Sequence, residues 1–167
     1  HCFFHLSPGK KQWTWGNGDF GIAWDRNLTD EDGPYIELMT GVYTDNQPDF
    51  TWLQPYEEKS WKQYFLPYSE VGYVKNATKD FILNLDVVEN TAHIIVYATG
   101  RQENIKVELR DITGKILFDK ATTLSPENIF KSQVNIAEQL PENLILSLYD
   151  NNGKLLLEYK ADKPEIK

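Results

Sequence analysis

Residues 24–43 read Trp24-Asp25-Arg26-Asn27-Leu28-Thr29-Asp30-Glu31-Asp32-Gly33-Pro34-Tyr35-Ile36-Glu37-Leu38-Met39-Thr40-Gly41-Val42-Tyr43. Five carboxylates, one Arg and three aromatic rings crowd around a Gly-Pro turn. Flat rings cover the C–H faces of a pyranose while carboxylates and amides take its hydroxyls, so polar groups set between rings are what a sugar-binding cleft uses. Glu37, flanked by Ile36 and Leu38, is the candidate catalytic group, because partial desolvation on an apolar strand raises a carboxyl pKa toward the range suited to proton transfer. Asp25, Asp30 or Asp32 would partner it, since two carboxylates flanking a glycosidic bond are the usual hydrolytic pair. Trp24, Arg26, Asp30, Asp32 and Tyr35, with Trp52 farther along, are the expected ligand contacts. The bland alternative turns Glu37 to water on an alternating strand and leaves the aspartates to cap turns.

Other reactive groupings are weaker. Asp30-Glu31-Asp32-Gly33 offers oxygen ligands for calcium but lacks the alternating spacing of an EF-hand loop, and three adjacent acids in extended chain do not converge on one point. His1-Cys2-Phe3-Phe4-His5 has metal-competent side chains with no second cluster to complete a four-ligand site, and His93 stands alone, so neither metal nor cofactor is expected. Gly16-Asn17-Gly18 reads as a turn between strands, not as a phosphate loop ahead of a helix, which argues against a nucleotide site. Trp13 and Trp15 share a strand face by the period of two and point together, into a core or toward a ligand.

The elements that must carry these groups read as strands. Alternation at 11–15, a Gly-Asn turn at 16–19, a second strand at 20–25, a third at 35–42, turn chemistry at 45–49 and a weakly alternating strand at 57–66 make up the first part, with a helical turn as the alternative at Glu57-Glu58-Lys59. All five Trp lie before residue 62, and beyond it the chain is built of Ile, Leu, Val, Asn, Lys and Glu. Apolar runs at 81–88, 92–98, 105–111, 115–120, 128–136, 144–149 and 154–159 are punctuated by Asn, Gly, Pro and Ser. Hairpin signals stand at Asp111-Ile112-Thr113-Gly114-Lys115 and Asp150-Asn151-Asn152-Gly153-Lys154. This rhythm predicts an antiparallel sandwich of immunoglobulin or fibronectin type, with the alternation Lys106-Val107-Glu108-Leu109-Arg110 putting one face in water. The expected division is 1–73, 74–160 and a charged linker at 161–167.

With 167 residues, 41% hydrophobic and 25% charged, the composition is that of a globular protein. A net charge of −8 and a pI near 4.9 argue against nucleic acid, whose counterions are released only by a basic face. No apolar run reaches the roughly 20 residues that span a bilayer, so no membrane partner is expected. One cysteine excludes an internal disulfide framework. The opening in aromatic sequence, without Met, reads as a fragment of a longer protein, and strands cut from a larger sheet would favour self-association. Compartment is not legible, with a periplasmic or extracellular setting favoured over a cytoplasmic one.

The run 24–50 together with Trp52-Leu53-Gln54-Pro55-Tyr56-Glu57 resembles a bacterial domain-of-unknown-function family whose members carry the domain ahead of tetratricopeptide repeats. More loosely, Tyr35-Ile36-Glu37 followed by 52–57 resembles the C-terminal end of galactose mutarotase-like supersandwiches. That second resemblance implies an all-β fold in which 1–73 supplies the C-terminal strands of a supersandwich, with 74–160 as a small accessory sandwich. It implies sugar substrates and puts Glu37 in the place of the base, although the upstream histidines that mutarotases use have no counterpart. The expected function is a fragment of a carbohydrate-binding or carbohydrate-processing protein, the parent a glycoside hydrolase or sugar epimerase and the fragment inactive without its upstream β-domain. The alternative is a non-catalytic interaction module of a protein with helical repeats downstream.

Overall fold

A computed structural model of the chain describes residues 16–29, 31, 33, 52–60, 62, 64–136 and 139–161. The chain divides into two compact units, His1–Gln63 and Tyr64–Lys167.

In the second unit, β1 (Asn76–Ala77), β2 (Phe81–Val88), β3 (Thr91–Ala98) and β6 (Phe130–Asn135) form one antiparallel sheet in the order β1-β2-β3-β6. Strands β5 (Ile116–Leu124), β4 (Gln102–Asp111), β7 (Leu144–Tyr149) and β8 (Leu155–Lys160) form the other, in the order β5-β4-β7-β8. Setting aside the two-residue β1, three strands face four, as in a fibronectin-type sandwich. Each apolar run expected from 81 onward is a strand, with ends that differ by a few residues.

The core follows from period-two patterning. Ile105, Val107 and Leu109 of β4 point inward, as do Ala92, Ile94, Val96 and Ala98 of β3, and they meet Leu144, Leu146 and Leu148 of β7 in one buried cluster. Both predicted hairpins form, with the same chemistry. The amides of Gly114 and Gly153 donate to the carbonyls of Asp111 and Asp150 at 3.0 and 3.1 Å, and each Asp Oδ1 accepts the amide of the Lys four residues on, at 3.0 Å for Lys115 and 2.8 Å for Lys154. Gly114 and Gly153 hold φ of +90° and +76°, the left-handed residue that closes a three-residue hairpin loop.

β2 is buried along most of its length, not alternately, because its outer face is covered too. Val71, fully buried, packs on Ile82 and Tyr97 with Leu66, Ala77, Ile95 and Ile129 around it. The segment before β1 is fastened there by several bonds: Asn84 Nδ2 donates to the Val71 carbonyl at 3.0 Å, Glu70 pairs with Lys131, and Lys75 pairs with Asp86 at 3.2 Å. At the far edge Asn76 Nδ2 donates to the Glu158 carbonyl at 2.7 Å, tying β1 to β8.

Two expectations for the first part of the sequence are corrected. Residues 20–25 are not a strand but lie in helix α1 (Asp19–Leu28). Phe20, Trp24 and Leu28 recur every fourth residue, Asp19 sits in the first turn and Arg26 in the last, and these placements favour a helix and its dipole. The apolar positions 20, 22 and 24 also alternate, which is what suggests a strand in the sequence. Residues 57–60, 62 and 64–66 form no strand. A turn at Pro55-Tyr56, with Tyr56 at φ +67°, closes through the Glu57 amide on the Gln54 carbonyl at 3.0 Å. The Gln54 amide in turn donates to Glu57 Oε2 at 2.9 Å, and this bond, with Lys59 beside it, holds the Glu57 carboxyl below its ordinary pKa. The strands expected at 11–15 and 35–42 lie outside the described residues.

Candidate functional site

Of the residues expected to contact sugar, Trp24, Asp25, Arg26 and Trp52 are described. Asp30, Asp32, Tyr35 and the catalytic candidate Glu37 lie outside the described residues. In α1, consecutive residues are about 100° apart around the axis, so Trp24, Asp25 and Arg26 fan out in three directions. Trp24 meets Phe20 edge to face, with centroids 6.3 Å apart and planes at 71°. The Asp25 carbonyl accepts the amide of Thr29 at 2.9 Å, and the single Thr29 hydroxyl proton is shared between that carbonyl at 3.0 Å and the Gly33 carbonyl at 2.6 Å, so Thr29 ends the helix and ties Gly33 to it. Trp52 is 83% exposed. The Gly16-Asn17-Gly18 stretch does lead into a helix, contrary to the sequence reading. The first turn nonetheless carries Asp19, whose carboxylate occupies the dipole's positive end and repels phosphate.

A second grouping lies in the sandwich, on the outer face of the four-stranded sheet. Strand register sets Ala121, Lys106 and Tyr149 in one row across β5, β4 and β7, and Asp119, Glu108 and Ser147 in the next. With Asn104, Asp150, Asn151 and Gly153 at the rim, these residues, except the fully buried Ser147, line an open hollow of about 540 Å³. The room comes from side-chain size: Ala121 and Gly153 are small where the sheet neighbours are large. Glu108 and Asp119 are directly opposed like charges, an unfavourable pair unless a cation sits between them. Lys106 does so, with Nζ 2.6 Å from Glu108 Oε2 and 3.9 Å from Asp119 Oδ2. The hydrogen bond to Glu108, opposed in part by desolvation, raises the Lys106 pKa. Asn104 holds φ +55° at a register shift in β4, a bulge that re-aims its side chain toward the rim.

Beyond the hollow the same face carries a neutralised pair. Arg110 Nη2 lies 2.7 Å from Glu158 Oε2, which also accepts the Ser147 hydroxyl at 2.9 Å. Among the described residues no three His, Cys, Asp or Glu side chains are grouped to hold a metal ion, and no helix is long and apolar enough to cross a membrane.

The sequence reading passed over the hollow. Lys106, Glu108 and Arg110 read as a water-facing side of β4, yet Glu108 is only 7% exposed. The signal was the unusual sequence of alternating charge on one strand face; its partner across the sheet becomes visible only with the register.

Two family models match the chain. One, described as YphG-like protein, second domain, matches residues 76–159, half of the chain. The other, a domain of unknown function (DUF5107), matches residues 3–68. No solved structure matches.

Proposed function

We propose that the chain, which belongs to the family described as YphG-like protein, second domain, is the carbohydrate-contacting part of a longer protein. In this reading the stretch 24–43, with Trp52 after it, holds the sugar, and the sandwich is its accessory module. The observation that carries the reading is the exposure of Trp52, an indole left almost wholly in water at 83%. Indole burial is worth more than that of most side chains, so a ring kept exposed ahead of a Pro turn is suited to stack on a pyranose. The resemblance of 35–37 and 52–57 to a mutarotase-like supersandwich supports the same ligand class. It would make Glu37 the base or acid of the full-length enzyme.

The test is titration of tryptophan fluorescence with oligosaccharides. Binding should quench emission in the chain and be lost in Trp52→Ala, whose melting temperature should change little because the ring is exposed. In the full-length protein, Glu37→Gln should abolish turnover at unchanged stability. A glycan screen without hits removes the reading, and a Glu37→Gln protein that loses stability but keeps activity per folded molecule makes Glu37 structural.

A second reading is favoured by another observation. Tyr64, Phe65, Tyr68, Tyr73 and Val74 are all exposed along the segment that precedes β1, as in a structural or interaction module joining an upstream domain to downstream helical repeats. Sugar-independent retention of the chain by neighbouring parts of its own parent protein, lost on Phe65→Ser with Tyr73→Ser, would favour that one.

A further inference from the structure

We propose that the hollow on the outer face of β5-β4-β7 is a second saccharide site, selective for neutral over acidic glycans. The inference goes beyond the reading above, which places sugar only at the stretch 24–43 and Trp52.

The lining supplies what a pyranose requires. Tyr149 offers a ring, Ala121 and Gly153 leave room beside it, and Asn104 and Asn151 bring amides that both donate and accept. Asp119 supplies an acceptor whose negative charge a sugar hydroxyl can meet with a charge-assisted hydrogen bond. A volume of about 540 Å³ falls within the range of small-molecule sites.

Selectivity follows from the charges. The hollow is lined by three carboxylates, Glu108, Asp119 and Asp150, against one ammonium, Lys106. Lys106 is bonded to Glu108 and stands 3.9 Å from Asp119, so three carboxylates against one ammonium leave the lining net negative toward an incoming carboxylate, sulfate or phosphate. A uronic acid entering the hollow would face net repulsion, while a neutral hexose would face none. Asp150 is turned back into its own hairpin, accepting the amides of Asn152 and Lys154 at 2.9 and 2.8 Å, which leaves the exposed Asp119 as the carboxylate acceptor facing the ligand.

The experiment uses the whole chain on an array of neutral hexose oligosaccharides and matching uronic-acid oligosaccharides, with affinities for hits measured by calorimetry. Ala121→Trp fills the hollow without touching a charge and should abolish binding of the hits, and Tyr149→Ala should weaken them by about tenfold or more through loss of the stacked ring. Both variants are made in a Trp52→Ala background, where binding at the hollow should remain intact, which separates the site from the one proposed around residue 24. Asp119→Lys should admit the uronic acids. Circular dichroism and melting curves establish that each variant is folded, and either of Ala121→Trp and Tyr149→Ala suffices should the other fail to fold. Neutral glycans bound undiminished by the folded variants, acidic glycans bound as tightly as neutral ones, an array without hits, or a hollow that takes up calcium in place of sugar would each overturn the proposal.

Discussion

Gly114 holds φ +90° with nothing within 4 Å of where a Cβ would stand. Substitution there meets no clash, only the cost of a left-handed backbone for an L-residue, about 1–2 kcal/mol. Gly100, between β3 and β4, lies outside that region and is equally open, so Ala should be neutral or stabilise by up to about 1 kcal/mol by narrowing the unfolded ensemble. Urea denaturation of Gly114→Ala and Gly100→Ala should therefore move the midpoint in opposite directions, or move only the first; equal losses would show that the hairpin glycine is not specially required. Turn glycines of this kind are legible because their conformational demand is local. Glu108 is the contrary case. Its place on an alternating strand gives its face, but its burial depends on Lys106 beside it and Asp119 across the sheet, and the hairpin at 111–115 marks that pairing only to within the one-residue register shift between Leu109 and Arg110.

At the level of elements, the two Asp-Gly-Lys hairpins tie β4 to β5 and β7 to β8 with parallel sets of bonds. Asp111 Oδ1 accepts the hydroxyl and amide of Thr113, at 2.6 and 2.8 Å, as well as the Lys115 amide. The Thr113 hydroxyl is the main cause that holds the Asp111 carboxyl below its ordinary pKa of 3.8. A group depressed in the folded state contributes stability that is complete above its unfolded pKa and lost as pH falls through the folded one. The stability gap between the native chain and Asp111→Ala should thus be constant from neutrality down to about pH 5 and narrow below pH 3.8. A gap that does not vary with acidity would mean the carboxylate's charge plays no part in closing the hairpin. The seven sandwich strands were readable because alternation, turn residues and strand length agree. Helix α1 was not, since positions 20, 22 and 24 satisfy a period of two while 20, 24 and 28 satisfy one near four, and only the second is realised.

On the scale of the whole chain, the family match to the sandwich begins at residue 76, but the compact unit begins at Tyr64. The difference is physical. Residues before 76 supply Val71 and Leu66 to the outer face of β2 and β3, and without them Ile82 and Tyr97 would be stripped to water and Asn84 would lose the Val71 carbonyl. A chain of residues 64–161 should melt higher than one of residues 76–161 by several degrees, since uncovering one large buried aliphatic side chain alone costs roughly 1.5–3 kcal/mol. Equal melting temperatures would reduce the covering segment to a passenger. In residues 24–43 the sequence shows residue types alone, a mix of acids and rings, because their convergence depends on how helix and loop aim them.

The strand order carries one more consequence. β3 pairs with β6, and β4 with β7, each across two intervening strands. The two long closures interlock, because β4 and β5 lie inside the first and β5 and β6 inside the second. Neither sheet can be finished by zipping up a neighbouring hairpin, so the loop entropy of both closures must be met before the buried cluster returns any of it. As the polypeptide leaves the ribosome, β2-β3 and β4-β5 emerge as half-covered ribbons, and they stay exposed to chaperones and to stray pairing until β7 has followed them out.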